Sequence, residues 1–326
     1  MPAKTVLLTG ATGFVGSHAA EAFAAHDVAV RALVRSTSDT ARLRSLGATL
    51  VAGELTDVAA VQRAAEGADA VVHMAALTRA RTAAEYDAVN EHGTRALLRA
   101  LAGMPVRPPR FVYLSSLAAV GPSGDAPVRA ETPPRPLTAY GRSKLAGETA
   151  CAQEAAALEL VILRAPAVYG PRDRDLLRFF RLAQRGVLPV PGGPTRPLQL
   201  IHVQDLAIAL VRAATLQGVR GVYHAAEPRS YAWSDVVQLV ARAVGARARM
   251  VLLPPLVLQA SATLSEWGAG LVGRATIFNR DKARELLAPG WLCDAAPAER
   301  DLGIAPRPLA DGLADTAGWY REHGWL

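Results

Sequence analysis

The chain has 326 residues, of which 51% are hydrophobic and 20% are charged, a balance typical of a folded globular protein and not of a disordered one. Its formal net charge is +7, but the arginines that supply most of it are scattered among alanine, leucine and acidic residues. Because no dense basic run occurs, we expect no nucleic-acid partner.

The cysteines and the most apolar segment bear on the compartment. Cys151 and Cys293 have no metal-ligand spacing around them, so we expect no metal site and a reducing, cytoplasmic environment. The chain enters a strand-like run at once, without the pattern of a secretory signal. Prolines and polar residues interrupt the apolar segment 251–273, so we predict a buried or lid segment there and no membrane span.

Short apolar runs alternate with helical patterns along the first half of the chain. We predict strands at residues 5–10, 28–35, 48–55, 68–77, 110–118 and 160–166. Helical patterns lie between them, at residues 17–26, 59–67, 85–102 and 138–157. This alternation predicts an α/β fold in which a doubly wound parallel sheet is covered by helices on both faces.

The second half of the chain has a different texture. Residues 186–197 are rich in proline and glycine and are predicted to be irregular, whereas 201–227 resembles a return to the main sheet. We therefore predict a dinucleotide-binding Rossmann domain at 1–165, to which 201–227 returns. Residues 166–200 and 228–326 then form a smaller, mostly helical substrate-binding domain, with the ligand between the two.

The segment TGATGFVGSH carries three glycines between a predicted strand and a predicted helix. Gly10, Gly13 and Gly16 allow a tight turn and a close approach of the backbone to a ligand. The helix that follows presents unpaired N–H groups and the positive end of its dipole. This context favours a pyrophosphate site, the alternative being a purely structural turn with small residues for packing.

Seven motifs in a fixed order identify a family resemblance. They are TGATGFVG (9–16), HMAA (73–76), NEHGT (90–94), YLSSLAAVG (113–121), YGRSK (140–144), RAPAVYGP (164–171) and IHVQDLA (201–207). Over nearly its whole length the chain resembles the extended short-chain dehydrogenases/reductases of the epimerase/dehydratase superfamily. Its pattern is most similar to dihydroflavonol-4-reductase-like and 3β-hydroxysteroid-dehydrogenase-like members. The resemblance implies a nicotinamide cofactor and a homodimer that pairs through the helices at 85–102 and 138–157.

The resemblance assigns Ser116, Tyr140 and Lys144 as the catalytic residues. A free tyrosine has a pKa of about 10, and a neighbouring ammonium together with an oxidised nicotinamide would favour its phenolate. Ser116 can donate to a substrate oxygen, whereas strand alternation directs Ser115 to the other face of the sheet. The alternative is an accidental Tyr-x-x-x-Lys pair on a helix surface.

The resemblance also implies a set of cofactor contacts. They are Gly10, Thr12, Gly13, Phe14, Val15, Gly16, Arg35, Glu54, Leu55, Ala75, Ala76, Asn90, Tyr140, Lys144, Pro166 and Val168. NAD-specific members carry an acidic residue on the ribose, at a place that aligns with Ala32 here. Arg35 follows, and a guanidinium suits a 2′-phosphate. We therefore favour NADP(H), with NAD(H) as the alternative.

Departures from the family pattern bear on the substrate. Sugar-nucleotide enzymes of the family hold a diphosphate with residues that align with Ala167 and Leu198, and neither of these can donate through its side chain. The acidic pair of the 4,6-dehydratases is replaced by Leu117 and Ala118. We therefore predict exchange of a carbonyl and an alcohol on a largely apolar small molecule. A nucleotide-sugar epimerase and a non-catalytic NADPH-binding scaffold are the alternatives.

Overall fold

The computed structural model describes residues 4–155, 157–271, 276 and 278–326. The strands are β1 (Thr5–Thr9), β2 (Ala29–Val34), β3 (Thr49–Ala52), β4 (Ala70–His73), β5 (Arg110–Ser116), β6 (Glu159–Ala165), β7 (Ala167–Tyr169), β8 (Val187–Pro191), β9 (Pro197–Leu198), β10 (Leu200–His202), β11 (Gly221–His224), β12 (Tyr231–Ala232) and β13 (Arg249–Leu253). The helices are α1 (Phe14–Ala25), α2 (Ala41–Ser45), α3 (Val58–Ala65), α4 (Ala83–Asp87), α5 (Thr94–Ala102), α6 (Ala139–Glu154), α7 (Arg174–Gln184), α8 (Val203–Thr215), α9 (Trp233–Ala243), α10 (Pro255–Leu271), α11 (Arg280–Leu287), α12 (Ala296–Leu302) and α13 (Leu309–Glu322).

Seven of these strands form one parallel sheet in the order β11-β6-β5-β4-β1-β2-β3. The central strands are largely apolar because both faces of the sheet are covered, and Leu7, Leu8, Val71 and Val72 are fully buried. Winding reverses between β1 and β4, and ligands of such sheets bind in the crevice outside the carboxyl ends at this point. The predicted doubly wound α/β fold is confirmed.

Helices pack on both faces of the sheet and form one apolar core on each face. On one face, α1 and α8 bury Phe23 and Leu206 against the strands. On the other face, α3, α5 and α6 bury Leu97 and Cys151. Burial of each large side chain contributes roughly 1.5–3 kcal/mol, so these cores fix the strand ends from which the site residues project.

A third apolar core lies outside the main sheet and joins α7, β8, α9 and α13. Phe180 of α7 and Tyr320 of α13 meet there edge to face, with ring centroids 5.3 Å apart. The strand β11, between the segments of this smaller unit, pairs with β6 in the main sheet. The division into cofactor and substrate domains stays a prediction.

The expectation of irregular structure over residues 186–197 is wrong at its start. Val187–Pro191 forms β8, which pairs in parallel with β13 (Arg249–Leu253), a segment more than fifty residues further along the chain. Prolines are tolerated here because the ribbon has only two strands, and a proline without an N–H can occupy an edge. Composition alone suggested a loop because the partner strand is distant in sequence.

The predicted helix at 85–102 is present but is not uniform. Residues 88–93 form a wider π-helical turn between α4 and α5, and this turn contains Asn90. Such turns frequently occur at functional sites. The apolar segment 251–273 was predicted to be a buried or lid segment. It contains the end of β13 and the helix α10, which are both largely exposed, so it is not buried, and its use as a lid stays a prediction. Residues 272–273 lie outside the described residues.

The sequence analysis also made predictions about membrane spans and metal sites. None of the helices in the described residues combines the length and the apolar character that a membrane crossing requires. No group of three or more histidine, cysteine or acidic side chains in that part of the chain is placed to hold a metal ion. Helices α5 and α6 pack against each other, and pairing of two chains through them stays a prediction.

Candidate active site

The glycine-rich turn follows β1 and leaves no room for side chains. Gly10 has a φ of 72°, and a Cβ there would lie 2.6 Å from the backbone nitrogen of Ala75. A Cβ on Gly16 would overlap the carbonyl oxygen of Gly10. Gly13 is the N-cap residue of α1, and within the described residues no side chain caps this end and no acid lies in its first turn. The turn therefore fits an anionic group such as a pyrophosphate.

Most of the predicted cofactor residues lie at the carboxyl ends of the strands of the main sheet. Because the strands are parallel, the segments that follow their carboxyl ends meet there. These segments carry Thr12, Phe14 and Val15 after β1, Arg35 after β2, Glu54 and Leu55 after β3, Ala75 and Ala76 after β4, and Pro166 and Val168 after β6. Pro166 is buried, Glu54 and Arg35 are exposed, and their contact with a cofactor stays a prediction.

The alignment that placed the ribose-binding position at Ala32 is wrong. Ala32 lies inside β2, is fully buried and pairs with Leu8 and Leu50. The strand ends at Val34, so Arg35 is the first residue beyond it. The error lay in the alignment and not in the strand, which was predicted at 28–35, and no carboxylate follows β2 before Asp39.

Ser116, Tyr140 and Lys144 are brought together by the end of β5 and the first turns of α6. Ser116 is the last residue of β5, and its Oγ accepts a hydrogen bond from the N–H of Ala118 over 3.1 Å. Thr138 caps α6 by accepting from the N–H of Gly141 over 3.0 Å, which fixes the start of the helix. Tyr140 and Lys144 then lie one turn apart, as the four-residue spacing predicted.

The protein keeps Tyr140 in its neutral form. Burial raises the pKa of the Tyr140 phenol to about 12, and the nearby Glu285 and Tyr86 act in the same direction. A hydrogen bond with the Ser116 side chain opposes this shift without cancelling it. At neutral pH the phenol therefore retains its proton and is a potential proton donor.

Lys144 lies under the site and is directed away from solvent. Its Nζ donates to the carbonyl oxygen of Leu114 over 2.7 Å and lies 4.1 Å from the centre of the Tyr113 ring. Burial lowers the pKa of the Lys144 ammonium to about 8, although Cys151 and Glu148 act in the opposite direction. The ammonium is therefore still largely charged near neutral pH.

A buried chain of hydrogen bonds begins at the glycine-rich turn. The hydroxyl of Thr94 donates to the Asn90 carbonyl over 2.8 Å, so it must accept from Nε2–H of His73, 2.9 Å away. Nδ1 of His73 then accepts from the hydroxyl of Thr9 over 2.6 Å. Burial lowers the pKa of His73 to about 3, which agrees with this neutral tautomer.

The same series of hydrogen bonds continues from Asn90 to α6. Asn90 Nδ2 donates to Leu77 O over 3.0 Å and to Ser143 Oγ over 2.9 Å, and its Oδ1 accepts from Leu77 N over 2.8 Å. Ser143 Oγ donates to the carbonyl of Tyr140 over 2.8 Å. The described contacts of the Asn90 side chain are thus with the protein, so its contribution to cofactor binding would be to position α6.

A buried ion pair supports the opposite side of α6. Arg164 donates to both oxygens of Glu148, over 3.0 and 2.7 Å, and Ser115 Oγ donates to Glu148 Oε1 over 2.5 Å. Ser115 therefore points away from Ser116, as strand alternation predicted. The sequence interpretation had given Glu148 no role, although its position one turn beyond Lys144 was a local signal that it shares the buried face of α6.

Two acidic residues near Tyr140 were missed because they are distant in sequence. Asp281 Oδ2 accepts the N–H of Ala139 at the start of α6 over 2.6 Å, across 142 positions of the chain. Glu285, one turn further along α11, is the carboxylate whose charge reaches Tyr140. No motif or spacing links α11 to α6, so only the tertiary structure could place them together.

The arginines nearest the positions expected for diphosphate partners are occupied elsewhere. Arg172 donates to both oxygens of Glu21, over 2.7 and 2.8 Å, and Arg196 donates to the carbonyls of Ala288 and Pro191. Arg174 lies over the Trp325 ring, 5.5 Å from its centre. Of the aligned positions themselves, Leu198 is buried in β9 and Ala167 is exposed on β7.

The fold, the glycine-rich turn and the order of the motifs agree with a match to a family model. Residues 6–226 match the model described as the NAD dependent epimerase/dehydratase family, which spans the main sheet and the assembled site. The chain belongs to the NAD dependent epimerase/dehydratase family. This confirms the extended short-chain dehydrogenase/reductase resemblance and indicates an enzyme of the oxidoreductase, epimerase and dehydratase type.

Full-length relatives of the chain are found within this family. Ceramide reductase of Caulobacter vibrioides is 37% identical over 326 aligned residues, covering 98% of this chain and 96% of the relative. Sterol demethylase protein B of Methylococcus capsulatus is 29% identical, covering 99% of this chain and 100% of the relative. Among solved structures, MoeE5 in complex with UDP-glucose and NAD superposes with a TM-score of 0.76 at 26% identity, covering 98% of this chain and 99% of that one.

Proposed function

We propose that the chain is an NADP(H)-dependent ketone reductase that acts on an amphiphilic lipid with a long apolar part. The observation that carries the proposal is that Arg172, Arg174 and Arg196 are engaged by other protein groups. A nucleotide sugar brings two negative charges, whose hydration must be replaced by donors when they are buried. An apolar substrate requires no such donors.

The three catalytic residues have separate tasks in this proposal. A reduced nicotinamide, when bound at the glycine-rich turn, would supply the hydride for the carbonyl carbon and leave as the oxidised form. Ser116 donates a hydrogen bond that orients the carbonyl oxygen, and Tyr140 transfers its proton to that oxygen as the alcohol forms. Lys144 stabilises the negative charge that Tyr140 acquires and can donate to the cofactor ribose. The protonated phenol is the form that proton donation during reduction requires.

The printed names of two relatives support the lipid substrate class. Ceramide reductase and sterol demethylase B are both named for lipid substrates and align over nearly the whole chain. We therefore propose a long-chain keto-amide of the ceramide type as the first substrate to test, followed by a sterol ketone. Nucleotide-sugar epimerisation remains the alternative, because the whole-length match to MoeE5 with UDP-glucose and NAD is independent support for it.

The test compares substrates on one preparation of the protein. NADPH oxidation is followed with the long-chain keto-amide and the sterol ketone in mixed micelles. UDP-glucose and dTDP-glucose are then incubated with NAD and analysed for a 4-epimer. We expect stereospecific reduction of a lipid ketone and no change in the sugars. Epimerisation of a nucleotide sugar, without turnover of either ketone, would refute the proposal. NADPH binding without any turnover would favour the scaffold.

The proposed NADP(H) preference predicts a selective effect of Arg35→Ala. This arginine is exposed just beyond β2, where it can reach a 2′-phosphate that NADH lacks. Loss of a charge-assisted hydrogen bond of ~1.5–3 kcal/mol corresponds to roughly 10- to 150-fold weaker NADPH binding, with NADH little affected. Titration of both cofactors by quenching of protein fluorescence measures the difference.

Arg107, at the amino ends of the strands, provides a matched control for this substitution. Arg107 is also exposed, but it precedes β5 and therefore lies at the amino ends of the strands. Arg107→Ala should leave the binding of both cofactors unchanged. A native preference for NADH, or equal losses of both cofactors in Arg35→Ala, would contradict the assignment of the 2′-phosphate to Arg35.

A further inference from the structure

The helix α10 presents apolar side chains to solvent. Leu256 is 79% exposed, Leu264 is 67% exposed and Trp267 is 68% exposed. These positions recur at intervals of eight and three residues, so they lie along one stripe of the helix. Val257, 52% exposed, widens the stripe. Single exposed apolar residues are ordinary, but four on one helix form a patch that requires an explanation.

The opposite side of α10 packs on the protein. Leu258 and Ala262 are buried against Ala283 of α11. The only charged residue in the helix is Glu266, whose carboxylate bonds to Arg280 over 3.0 Å. A surface helix of a globular protein normally turns a charged face to water. Here the outer side carries exposed leucine, valine and tryptophan beside the uncharged polar residues Gln259, Ser261 and Thr263, and Glu266 is its only charge.

The strand that precedes α10 also exposes apolar side chains and has basic residues near its start. In β13, Met250 and Val251 are each 43% exposed and Leu252 is 56% exposed. Arg247 and Arg249 are exposed at the start of this strand, and the ion pairs described around α10 and α11 involve other arginines. We use the name α10 surface for Met250–Leu252 together with Leu256, Val257, Leu264 and Trp267.

The α10 surface adjoins the candidate active site through α11. Helix α10 packs on α11, and α11 supplies Asp281, which binds the start of α6 over 2.6 Å. Glu285 of the same helix lies close enough to raise the pKa of Tyr140. One helix therefore separates the apolar surface from the residue proposed to deliver the proton.

We propose that the α10 surface docks on the face of a lipid bilayer that contains anionic lipids. The leucines and Trp267 enter the interfacial region, and Arg247 and Arg249 contact the anionic headgroups. A surface helix that inserts exposed apolar side chains lies in the interfacial region and does not cross the bilayer.

Charge favours a bilayer over a second copy of the chain as the occupant. A second copy of the chain carries the same net charge of +7, so two copies repel each other at long range. An anionic surface attracts Arg247 and Arg249, and the net charge of +7 adds to that attraction. The docking does not require the proposed function, although a membrane-borne lipid substrate would explain why the surface adjoins the site.

The test is binding of the purified chain to vesicles, without substrate or cofactor. Vesicles of phosphatidylglycerol and phosphatidylcholine are compared with pure phosphatidylcholine by cosedimentation. We expect binding to the anionic vesicles that weakens at high salt. Leu264→Asp should reduce the partition coefficient about tenfold or more, because a leucine side chain then no longer leaves water. Val106→Asp is the matched control, since Val106 is 80% exposed but isolated in the loop before β5.

Tryptophan fluorescence provides a second measurement in the same samples. Trp267 should move to a less polar environment, giving a blue shift with anionic vesicles that Trp267→Phe removes. Equal vesicle binding by the parent chain, Leu264→Asp and Val106→Asp would overturn the proposal, as would no binding at all. A parent dimer that Leu264→Asp converts to a monomer, without vesicle binding, would assign the surface to a second copy. Reduction of a short ketone in detergent by Leu264→Asp would show that docking and catalysis are separable.

Discussion

Replacement of Tyr140 with phenylalanine is expected to lower turnover of a lipid ketone by about 10²-fold or more. The change removes only the phenolic hydroxyl, whose proton is held at neutral pH because burial raises the pKa to about 12. The substrate oxygen would then lack the proton donor that the proposal assigns to it. Steady-state NADPH oxidation measures the loss, and single-turnover kinetics shows whether it lies in the chemical step.

Tyr86 supplies the matched control for this substitution. Its ring lies 6.0 Å from that of Tyr140, and its hydroxyl donates to the carbonyl of Thr78, away from Ser116. Tyr86→Phe should therefore retain most of the activity. NADPH binding and the unfolding midpoint should be unchanged in both variants, because neither change opens a cavity. Near-native turnover in Tyr140→Phe would remove the assignment of the proton donor.

Replacement of Glu148 with alanine is expected to lower the free energy of unfolding by about 3–5 kcal/mol, the usual cost of leaving one partner of a buried ion pair. The side chains of Arg164 and Glu148 are 5% and 7% exposed. Without the carboxylate, the Arg164 guanidinium and the Ser115 hydroxyl would lose their buried acceptor. Urea unfolding followed by circular dichroism gives the free energy.

The double variant Glu148→Leu/Arg164→Met tests whether the lost stability comes from leaving one charge buried without its partner. Replacing both charges by apolar groups of similar size removes the desolvation cost, so most of the lost stability should return. The exposed pair of Glu85 and Arg81 is the surface control, and Glu85→Ala should leave the urea midpoint close to that of the parent. If Glu148→Ala unfolded like the parent, the pair would not support α6 as described.

Features that depend on neighbouring residues could be predicted from the sequence. The strand–turn–helix around Gly10 and Gly16, and the one-turn spacing of Tyr140 and Lys144, follow from local backbone geometry. The alternation of strands and helices likewise indicated the parallel sheet before its strand order was known. These predictions succeeded because glycine conformation, helical periodicity and buried parallel strands leave marks within short windows of sequence.

Features that depend on distant segments could not be predicted. Asp281 and Glu285 lie near Tyr140 only because α11 packs beside α6, and no spacing encodes that contact. The strand Val187–Pro191 exists because β13 pairs with it, although its prolines favour a loop. His73 lies within the HMAA motif, but its hydrogen bonds to Thr9 and Thr94 form only because β1 and α5 pack beside β4. The exposure of the apolar side chains of α10 could not be predicted either, because an apolar composition normally indicates burial.

The third apolar core has a consequence for synthesis of the protein on the ribosome. Phe180 of α7 is covered by Tyr320 of α13, and the Tyr320 hydroxyl donates to the carbonyl of Asp173. At elongation rates of ~5–20 residues per second, roughly 10–30 s pass between the emergence of these two helices. During that interval the nascent chain exposes the apolar face of α7 beside a main sheet of which six strands precede α7 and only β11 follows it. This is the interval in which a ribosome-associated chaperone would have most to protect, and in which slowed translation would most increase aggregation.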